Sequence, residues 1–264
     1  IRDRGELAPE ALSRLAGCLA DYGAEIERFG ADQIIVAGTS AVRDAPNRRE
    51  VATLVEETLG AVLRVLTGEQ EADVAYRGAA LSAAGGPRAV VYVGGGSTEI
   101  IAGSATGPGP MVSLDIGCVR CTRGAMAADP PGAAAARRLF TDVRAAVVDS
   151  APVLDHDGAV LGVAGTFTTL AALELGAYSP DAVDGYRLSR AGIRRRAESL
   201  SRLTIEERRR LPGLEPARAP VIATGAVIVA AVADALDVDE ITVSERDLLD
   251  GLALSVLPEP PRTS

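Results

Sequence analysis

The sequence predicts an α/β fold. Short apolar strands alternate with segments of helical periodicity along the whole chain. Three of these strands end in glycine with serine or threonine, at residues 38–40, 94–98 and 165–169. Ligands of α/β proteins bind where strands end, and three such ends together suit a ligand with several phosphates. A chain of 264 residues with 47% hydrophobic content buries a sizeable core, and we expect two domains.

Charge and composition exclude several function classes. The formal net charge of −9 argues against nucleic acid or an anionic membrane surface as a partner. All 27 basic residues are arginine, which excludes a P-loop lysine and a Schiff-base lysine. The longest apolar run, residues 219–233, contains Pro220 and is shorter than the roughly 20 residues of a membrane span. With no secretion signal recognisable, we expect a cytoplasmic protein.

The first elements are a helix and a strand. A helix is predicted between Pro9 and Gly30, with one apolar face that we expect in the core. This face comprises Leu12, Leu15, Leu19, Tyr22, Ile26 and Phe29. A buried strand over residues 32–37 then leads into the segment 38–44. Arg43 in that segment is a candidate phosphate ligand, and the alternative is an exposed arginine paired with Asp44.

A second helix over residues 47–60 and a strand over residues 61–66 precede two candidate carboxylates. Glu69 and Glu71 follow Thr67 and Gly68 at the start of a third helix. Acidic residues are common at helix N-termini, so both fit an ordinary helix start as well as a catalytic role.

The glycine-rich segment 88–102 predicts a strand, a tight turn and a returning strand. Consecutive glycines let several N–H groups converge on one anion, and neighbouring hydroxyls add donors. The turn and its flank supply Gly94, Gly95, Gly96, Ser97, Thr98 and Glu99. The turn is therefore a candidate phosphate cradle with a carboxylate beside it for Mg²⁺, and a hairpin without a ligand is the alternative.

The second half continues the alternation. We expect a turn over residues 107–110, a strand over 111–116, a helix ending near Ser150 and a strand over 159–164. Gly165 and Thr166 then open a helix, where N–H groups form a second anion site. A buried helix over 217–236, a strand over 240–243, a closing helix over 246–254 and a disordered tail over 258–264 complete the chain.

Two further patterns have competing interpretations. Cys118 and Cys121 have redox or half-zinc spacing, but small apolar packing residues are the better interpretation. The arginine runs 194–196 and 208–210 are expected on solvated helix faces, and the alternative is a positive track for a long anion.

Six motifs in this order resemble the exopolyphosphatase/guanosine pentaphosphate phosphatase (Ppx/GppA) family. They are residues 38–44 with Asn47, 67–72, 94–99, 116–120, 164–170 and 243–250. The resemblance implies a two-domain actin-like, ribonuclease-H-like (ASKHA) fold with a ligand cleft. It implies domain I over residues 1–75, without its first strands and first phosphate loop. It also implies domain II over residues 76–257, with the closing helix returning to domain I.

The resemblance also implies an activity. Family members release terminal phosphate from inorganic polyphosphate or guanosine pentaphosphate with Mg²⁺, so these are the expected substrates and cofactor. A second copy of the chain is a further candidate partner. Polyphosphate is the preferred substrate because no sequence feature builds a guanine pocket.

Functional residues carry over from the family motifs position by position. Glu71 matches the catalytic glutamate that polarises the attacking water. Arg43 matches a phosphate-contacting arginine, and Glu99 matches a carboxylate beside the loop. The remaining phosphate ligands implied by the family are Gly94, Gly95, Gly96, Ser97, Gly165 and Thr166.

Two positions depart from the family pattern. Tyr92 stands where the family has a metal-binding aspartate, and a phenol is a poor Mg²⁺ ligand. Pro220 stands where the family often has aspartate. The first departure leaves open a family member that binds polyphosphate or an alarmone with impaired turnover. A small-molecule kinase of the same superfold is the remaining alternative, and it would require ATP and a hydroxyl acceptor.

Overall fold

A computed structural model describes residues 6–82, 87–104, 107–152 and 159–256. The chain divides into two compact units, Ile1–Glu71 with Leu252–Ser264 (unit 1) and Ala72–Gly251 (unit 2). The domain boundaries predicted from sequence, at residues 75 and 257, stay predictions. The predicted tail over residues 258–264 lies outside the described residues.

Unit 1 is a small helical layer on two strands. Its parallel strands pair with Val36 opposite Leu63. Its apolar core is formed by Leu19, Val51 and Val55, which are at most 5% exposed. The elements are α1 (Pro9–Phe29), β1 (Val36–Gly38), α2 (Ser40–Arg43), α3 (Arg48–Leu59), β2 (Leu63–Val65) and the start of α4 (Gly68–Ala80).

The predicted apolar face of α1 is only partly core. Leu19 is buried, but Tyr22 is 65% exposed and Phe29 is 73% exposed. The helix has 21 residues and packs on α3, which has 12, so part of α1 extends beyond its partner. The predicted end is confirmed, because Gly30 has φ 62° and its N–H bonds the carbonyls of the last turn.

Unit 2 is built on a six-stranded mixed sheet in the order β5-β4-β3-β6-β8-β7. Strands β3, β6 and β8 pair in parallel at its centre. Strand β4 pairs antiparallel with both β3 and β5, and β7 pairs antiparallel with β8. The strands are β3 (Ala89–Val93), β4 (Thr98–Ser104), β5 (Gly107–Leu114), β6 (Val160–Val163), β7 (Arg187–Ser189) and β8 (Glu240–Val243). The helices are α5 (Cys118–Arg123), α6 (Gly132–Ser150), α7 (Gly165–Leu175), α8 (Pro180–Val183), α9 (Arg190–Arg202), α10 (Ile205–Arg209), α11 (Ile222–Ala235) and the start of α12 (Leu248–Leu254), with a 3₁₀ turn at Pro216–Arg218.

Both faces of the central sheet are covered. Alternate residues of β3 enter different clusters: Val91 and Val93 pack with helices α6, α7, α9 and α11, whereas Val90 packs with Ala72 and Tyr76 of α4. Successive side chains of a strand point to opposite faces. Because both faces of β3 are buried, its sequence is a nearly continuous apolar run. The central helix α11 is buried from Ile222 to Ala233, as its uniformly apolar sequence predicts.

The segment 107–110 was predicted as a turn, and that prediction is wrong. Gly107 and Pro108 pair with Ser104 and Gly103 as the beginning of β5. Proline has no N–H to donate to a neighbouring strand. It is tolerated in this strand because β5 lies at the sheet edge.

Candidate active site

Arg43 and Glu71 meet in unit 1. Glu71 lies in the first turn of α4 and is 2% exposed, and Arg43 ends α2. The Arg43 Nη1 donates to Glu71 Oε2 at 3.0 Å and to the Leu66 carbonyl at 2.8 Å. Arg43 Nε also lies 4.0 Å from Asp44 Oδ1. The pairing with Asp44, which was the alternative from the sequence, is therefore the longer of these two ion pairs of Arg43. The pair fixes one oxygen of a buried carboxylate.

Burial raises the pKa of Glu71, and the hydrogen bond and charge of Arg43 oppose that rise. A carboxylate with a raised pKa is a stronger base than an exposed one, and the arginine keeps its ionised form accessible. This is the electrostatic setting expected of a group that accepts a proton from water.

Glu69 and Glu71 both lie in the first turn of α4, but only Glu71 is buried. Thr67 and Gln70 cap α4 reciprocally: the Thr67 N–H donates to Gln70 Oε1, and the Gln70 N–H donates to Thr67 Oγ1. Glu69 is exposed. These caps are made without the carboxylate of Glu71, which instead faces Arg43.

The predicted glycine-rich hairpin is present, and its loop turns its carbonyl groups toward α5. The Gly94 carbonyl accepts the N–H of Cys118, and the Gly95 carbonyl accepts those of Val119 and Arg120. The Gly96 carbonyl accepts Arg120 Nε at 2.8 Å. Three successive carbonyls are thus held on one side of the loop.

The loop N–H groups are left for another acceptor. Within the part of the chain that the structure describes, the N–H groups of Gly95, Gly96 and Ser97 donate no hydrogen bond to the backbone or to a side chain. The Gly94 N–H closes the turn on the Ser97 carbonyl at 3.0 Å. Successive N–H groups of this kind form an anion-binding nest.

Close backbone packing holds this loop in place. A Cβ on Gly117 would lie 2.4 Å from backbone atoms of Gly95 and Gly96. The ring of Tyr92 lies over the first glycine, since a Cβ on Gly94 would be 3.0 Å from its Cε1. Glycine is required at position 117 by this approach of two backbone segments.

Adjacent parallel strands bring the second anion loop beside the first. Tyr92 of β3 pairs with Val163 of β6, so the two strands end side by side, at Val93 and Val163, and the two loops follow them. Thr166 is 6% exposed, and its hydroxyl lies 3.4 Å from the carbonyl of Val93. The helix α7 that starts here has 11 residues, and its N-terminal N–H groups add to the anion site.

Ala164, between β6 and this loop, has a strained backbone. Its φ of 73° and ψ of 171° lie in a region used almost only by glycine. Such strain persists where the surrounding structure enforces it, and it lies directly before the first residue of α7.

The sequence did not single out Arg218, which lies against the second loop. A Cβ on Gly165 would fall among the guanidinium atoms of Arg218, and Glu215 accepts from Arg218 Nε at 3.1 Å. Its position after Pro216 in a 3₁₀ turn gave no periodic signal. A guanidinium beside two N–H nests is suited to bind a phosphate oxygen.

A cavity of about 710 Å³ adjoins Gly165 and Arg218. Besides these two residues, its walls include Tyr178, Glu215, Glu245 and Asp247. Burial raises the pKa of Glu245 and of Asp247. The cavity therefore presents one cation near the loop and hydrogen-bond acceptors farther along its wall.

The predicted metal ligand Glu99 lies within the sheet. Its side chain is 0% exposed, and the Ser113 hydroxyl donates to its Oε1 at 2.7 Å. Its cross-strand neighbour is Tyr92. Among the described residues, no group of three or more His, Cys, Asp or Glu side chains could hold a metal ion. This donor set does not fit a Mg²⁺ held by protein ligands alone.

The two other ambiguous patterns have structural explanations. Burial raises the thiol pKa of Cys118 and of Cys121, as expected of packed neutral cysteines. Arg208 is 2% exposed and pairs with Asp129, contrary to the predicted solvated face. It is buried because its guanidinium also binds the carbonyls of Leu203 and Ala219.

No helix in the described part of the chain has the length and apolarity needed to cross a membrane.

A model of the Ppx/GppA phosphatase family matches residues 1–260. The chain belongs to the Ppx/GppA phosphatase family. Exopolyphosphatase 2 of Mycobacterium tuberculosis (strain ATCC 25618 / H37Rv) is 37% identical over 268 residues, covering 96% of this chain and 83% of that protein. A Vibrio vulnificus protein named guanosine-5'-triphosphate,3'-diphosphate pyrophosphatase is 27% identical, covering 98% of this chain and 52% of its own length.

The crystal structure of the Aquifex aeolicus Ppx/GppA family member has 31% sequence identity and a TM-score of 0.81, covering 96% of this chain and 83% of that one. The predicted family and the predicted actin-like α/β fold are confirmed. A divalent cation is in keeping with a phosphatase of this family, and the residue roles carried over from the Ppx/GppA motifs stay predictions.

Proposed function

We propose that this Ppx/GppA protein is an exopolyphosphatase, which hydrolyses the terminal phosphate of inorganic polyphosphate. The observation that carries the proposal is the loop 94–97, whose carbonyls are occupied by α5 while three successive N–H groups are left for an anion. A second N–H nest and Arg218 lie beside it, so consecutive phosphates of one chain have separate ligands.

The loops bind and orient the phosphate chain in this proposal. The N–H groups of residues 95–97 and of the α7 N-terminus donate to phosphate oxygens, and Arg218 adds a charge-assisted bond. Fixed donors of this kind stabilise the negative charge that spreads over the phosphoryl oxygens during transfer. Their geometry is preset because the strand ends and the Gly117 contact hold the loop.

Glu71 is the proposed base. It takes a proton from a water molecule as the water oxygen bonds to the terminal phosphorus and the bridging P–O bond breaks. The products are inorganic phosphate and a chain shorter by one phosphate, which leaves as an oxyanion. Arg43 positions Glu71 through the 3.0 Å bond.

Magnesium enters this proposal as the counter-ion of polyphosphate rather than as a protein-held centre. Mg²⁺ commonly retains several waters and binds substrate phosphates. It would reduce the charge repulsion between the chain and a protein of net charge −9.

Guanosine pentaphosphate is a second substrate of the proposal. The cavity beside Gly165 has a volume of about 710 Å³, and the carboxylates in its wall accept N–H donors such as those of a nucleobase. The Vibrio vulnificus relative is named for this nucleotide. A cytoplasmic location and a homodimer stay predictions.

A second candidate function is polyphosphate binding without efficient turnover. The observation that favours it is Tyr92, which replaces a family aspartate and packs its ring over Gly94. If the family aspartate is essential, this chain retains both nests but lacks the metal needed for hydrolysis.

The deciding experiment measures phosphate release from long-chain polyphosphate with Mg²⁺, using the protein expressed from its complete gene. We compare it with Glu71→Gln, with the exposed control Glu69→Gln and with Tyr92→Asp. Release that Glu71→Gln abolishes and Glu69→Gln retains supports the hydrolase. Saturable binding without release, restored to turnover by Tyr92→Asp, supports the binding candidate. Neither release nor binding would contradict both, and ATP turnover stimulated by a sugar would indicate a kinase.

A further inference from the structure

A groove on unit 2 has features of a ligand site separate from the phosphate loops. Helices α6 and α9 pack side by side on α11 and leave a groove of about 460 Å³ between them. This volume is within the roughly 300–1,000 Å³ of small-molecule pockets. Its lining consists mostly of alanine and arginine side chains, with Phe140 and Glu198 among them.

The floor of the groove is apolar and contains a flat surface. Ala197, Val227 and Ala230 are buried beneath it. The guanidinium of Arg194 lies 5.2 Å from the centroid of the Phe140 ring. The guanidinium lies over the ring and is itself half-exposed, so a planar group can stack on its outer face.

The rim is positively charged on a chain whose overall charge is negative. Arg137 and Arg202 line the groove, and among the described residues neither side chain has a hydrogen-bond or ion-pair partner. Arg194 shares one carboxylate, Asp234, with Arg144, at 3.4 and 2.6 Å respectively. The lining itself carries three arginines and one carboxylate, Glu198.

These features define the occupant. We propose that the groove binds a nucleoside monophosphate, with its base stacked on the Arg194 guanidinium and its phosphate bound by Arg137 and Arg202. Arginine pairs bind phosphate oxygens with geometric specificity. Glu198 supplies an acceptor for the exocyclic amino group of a base such as adenine. A fatty acid would leave the Arg194 surface and the acceptor Glu198 unused, and inorganic phosphate would leave the floor unused.

The test uses AMP as the probe, with inorganic phosphate and octanoate as comparison ligands, in titration calorimetry on the full chain. Arg137→Gln and Arg202→Gln are each expected to weaken AMP binding roughly tenfold, and the double variant to abolish it. Arg138→Gln and Arg195→Gln are matched controls, because these exposed arginines on the same two helices do not line the groove. All four positions are exposed, so folding is retained and is checked by thermal melting.

AMP binding that both groove variants lose and both controls keep supports the proposal. Binding retained in Gly117→Ala, whose phosphate loop is displaced, places it away from the loops. Equal loss in groove and control variants, equally tight inorganic phosphate, tighter octanoate, or no AMP binding at millimolar concentration would each overturn it.

Discussion

The pair Arg43–Glu71 in unit 1 and the loops of unit 2 use different chemistry. In unit 1 the functional groups are charged side chains, joined by a 3.0 Å ion pair and largely buried. In unit 2 the principal donors are backbone N–H groups, held by strand ends and by glycine contacts. A side chain is altered by a change of one functional group, whereas a backbone nest is altered only by displacing the chain. Substitutions in unit 1 should therefore reduce catalysis without reducing polyphosphate binding, and substitutions that displace the unit 2 loops should reduce binding.

The largest effect is expected at Glu71. Glu71→Gln preserves the shape of the side chain and removes its ability to take a proton. Phosphate release from polyphosphate should fall roughly 100- to 10,000-fold, while the dissociation constant for polyphosphate changes little. Release and binding are measured on the same preparation, with Glu69→Gln as the control. Turnover retained in Glu71→Gln would remove the base from the mechanism.

The converse change is Gly117→Ala in unit 2. Its new Cβ would lie 2.4 Å from the backbone of Gly95 and Gly96, so the loop must move. Polyphosphate affinity should drop by at least roughly tenfold, because N–H donors lose their alignment. Gly124→Ala, at the end of the same helix, meets no atom closer than 3.8 Å and should bind normally. Wild-type affinity in Gly117→Ala would show that the nest is not the binding element.

Arg218 tests whether unit 2 also needs a charged side chain. Arg218→Gln should weaken polyphosphate binding roughly tenfold and reduce its salt dependence, since one charge-assisted contact is lost. Arg209→Gln, which breaks only an exposed ion pair with Glu206, is the control. An unchanged salt dependence in Arg218→Gln would place the phosphate chain elsewhere.

The pH dependence of hydrolysis sharpens the description of unit 1. Glu71 acts only when ionised, and its raised pKa moves the acid limb of kcat/KM to a higher pH than an ordinary carboxylate gives. Arg43 lowers that pKa, so Arg43→Gln should move the limb further upward. A limb that stays fixed in Arg43→Gln would mean that another group titrates.

The smallest effect concerns the strained Ala164. Ala164→Gly relieves a backbone conformation that costs on the order of 1–3 kcal/mol, against the smaller entropy cost of glycine. The net gain in unfolding free energy should be about 1 kcal/mol, which raises the melting temperature by about 2–4 °C. Calorimetric melting checks this, and a lowered melting temperature would contradict the strain.

Local patterns in the sequence predicted the central strands and the glycine loops that follow them, but not β7 (Arg187–Ser189). The hairpin around Gly94 and the loop at Gly165 were predictable because a strand ending in glycines is a local feature. The edge strand starting at Gly107 was not, because whether a strand tolerates proline depends on its place in the sheet.

The missed features depend on contacts between distant segments. Arg218 became a candidate only through its contact with Gly165, and Arg208 is buried through Asp129. Arg43 and Glu71 were both proposed, but their direct pairing follows from how α2 and α4 meet in unit 1. Neither local periodicity nor composition reports such contacts.

The most direct test of the central claim is an NMR titration of the protein, labelled with ¹⁵N-glycine, with tripolyphosphate. The amide resonances of Gly95, Gly96 and Gly165 should shift strongly, because their N–H groups bind phosphate oxygens. That of Gly192, whose N–H bonds Ser189 beside the opposite end of β8, should stay fixed. If the protein binds tripolyphosphate while the loop amides do not shift, the backbone nest is not the phosphate site and the account is wrong.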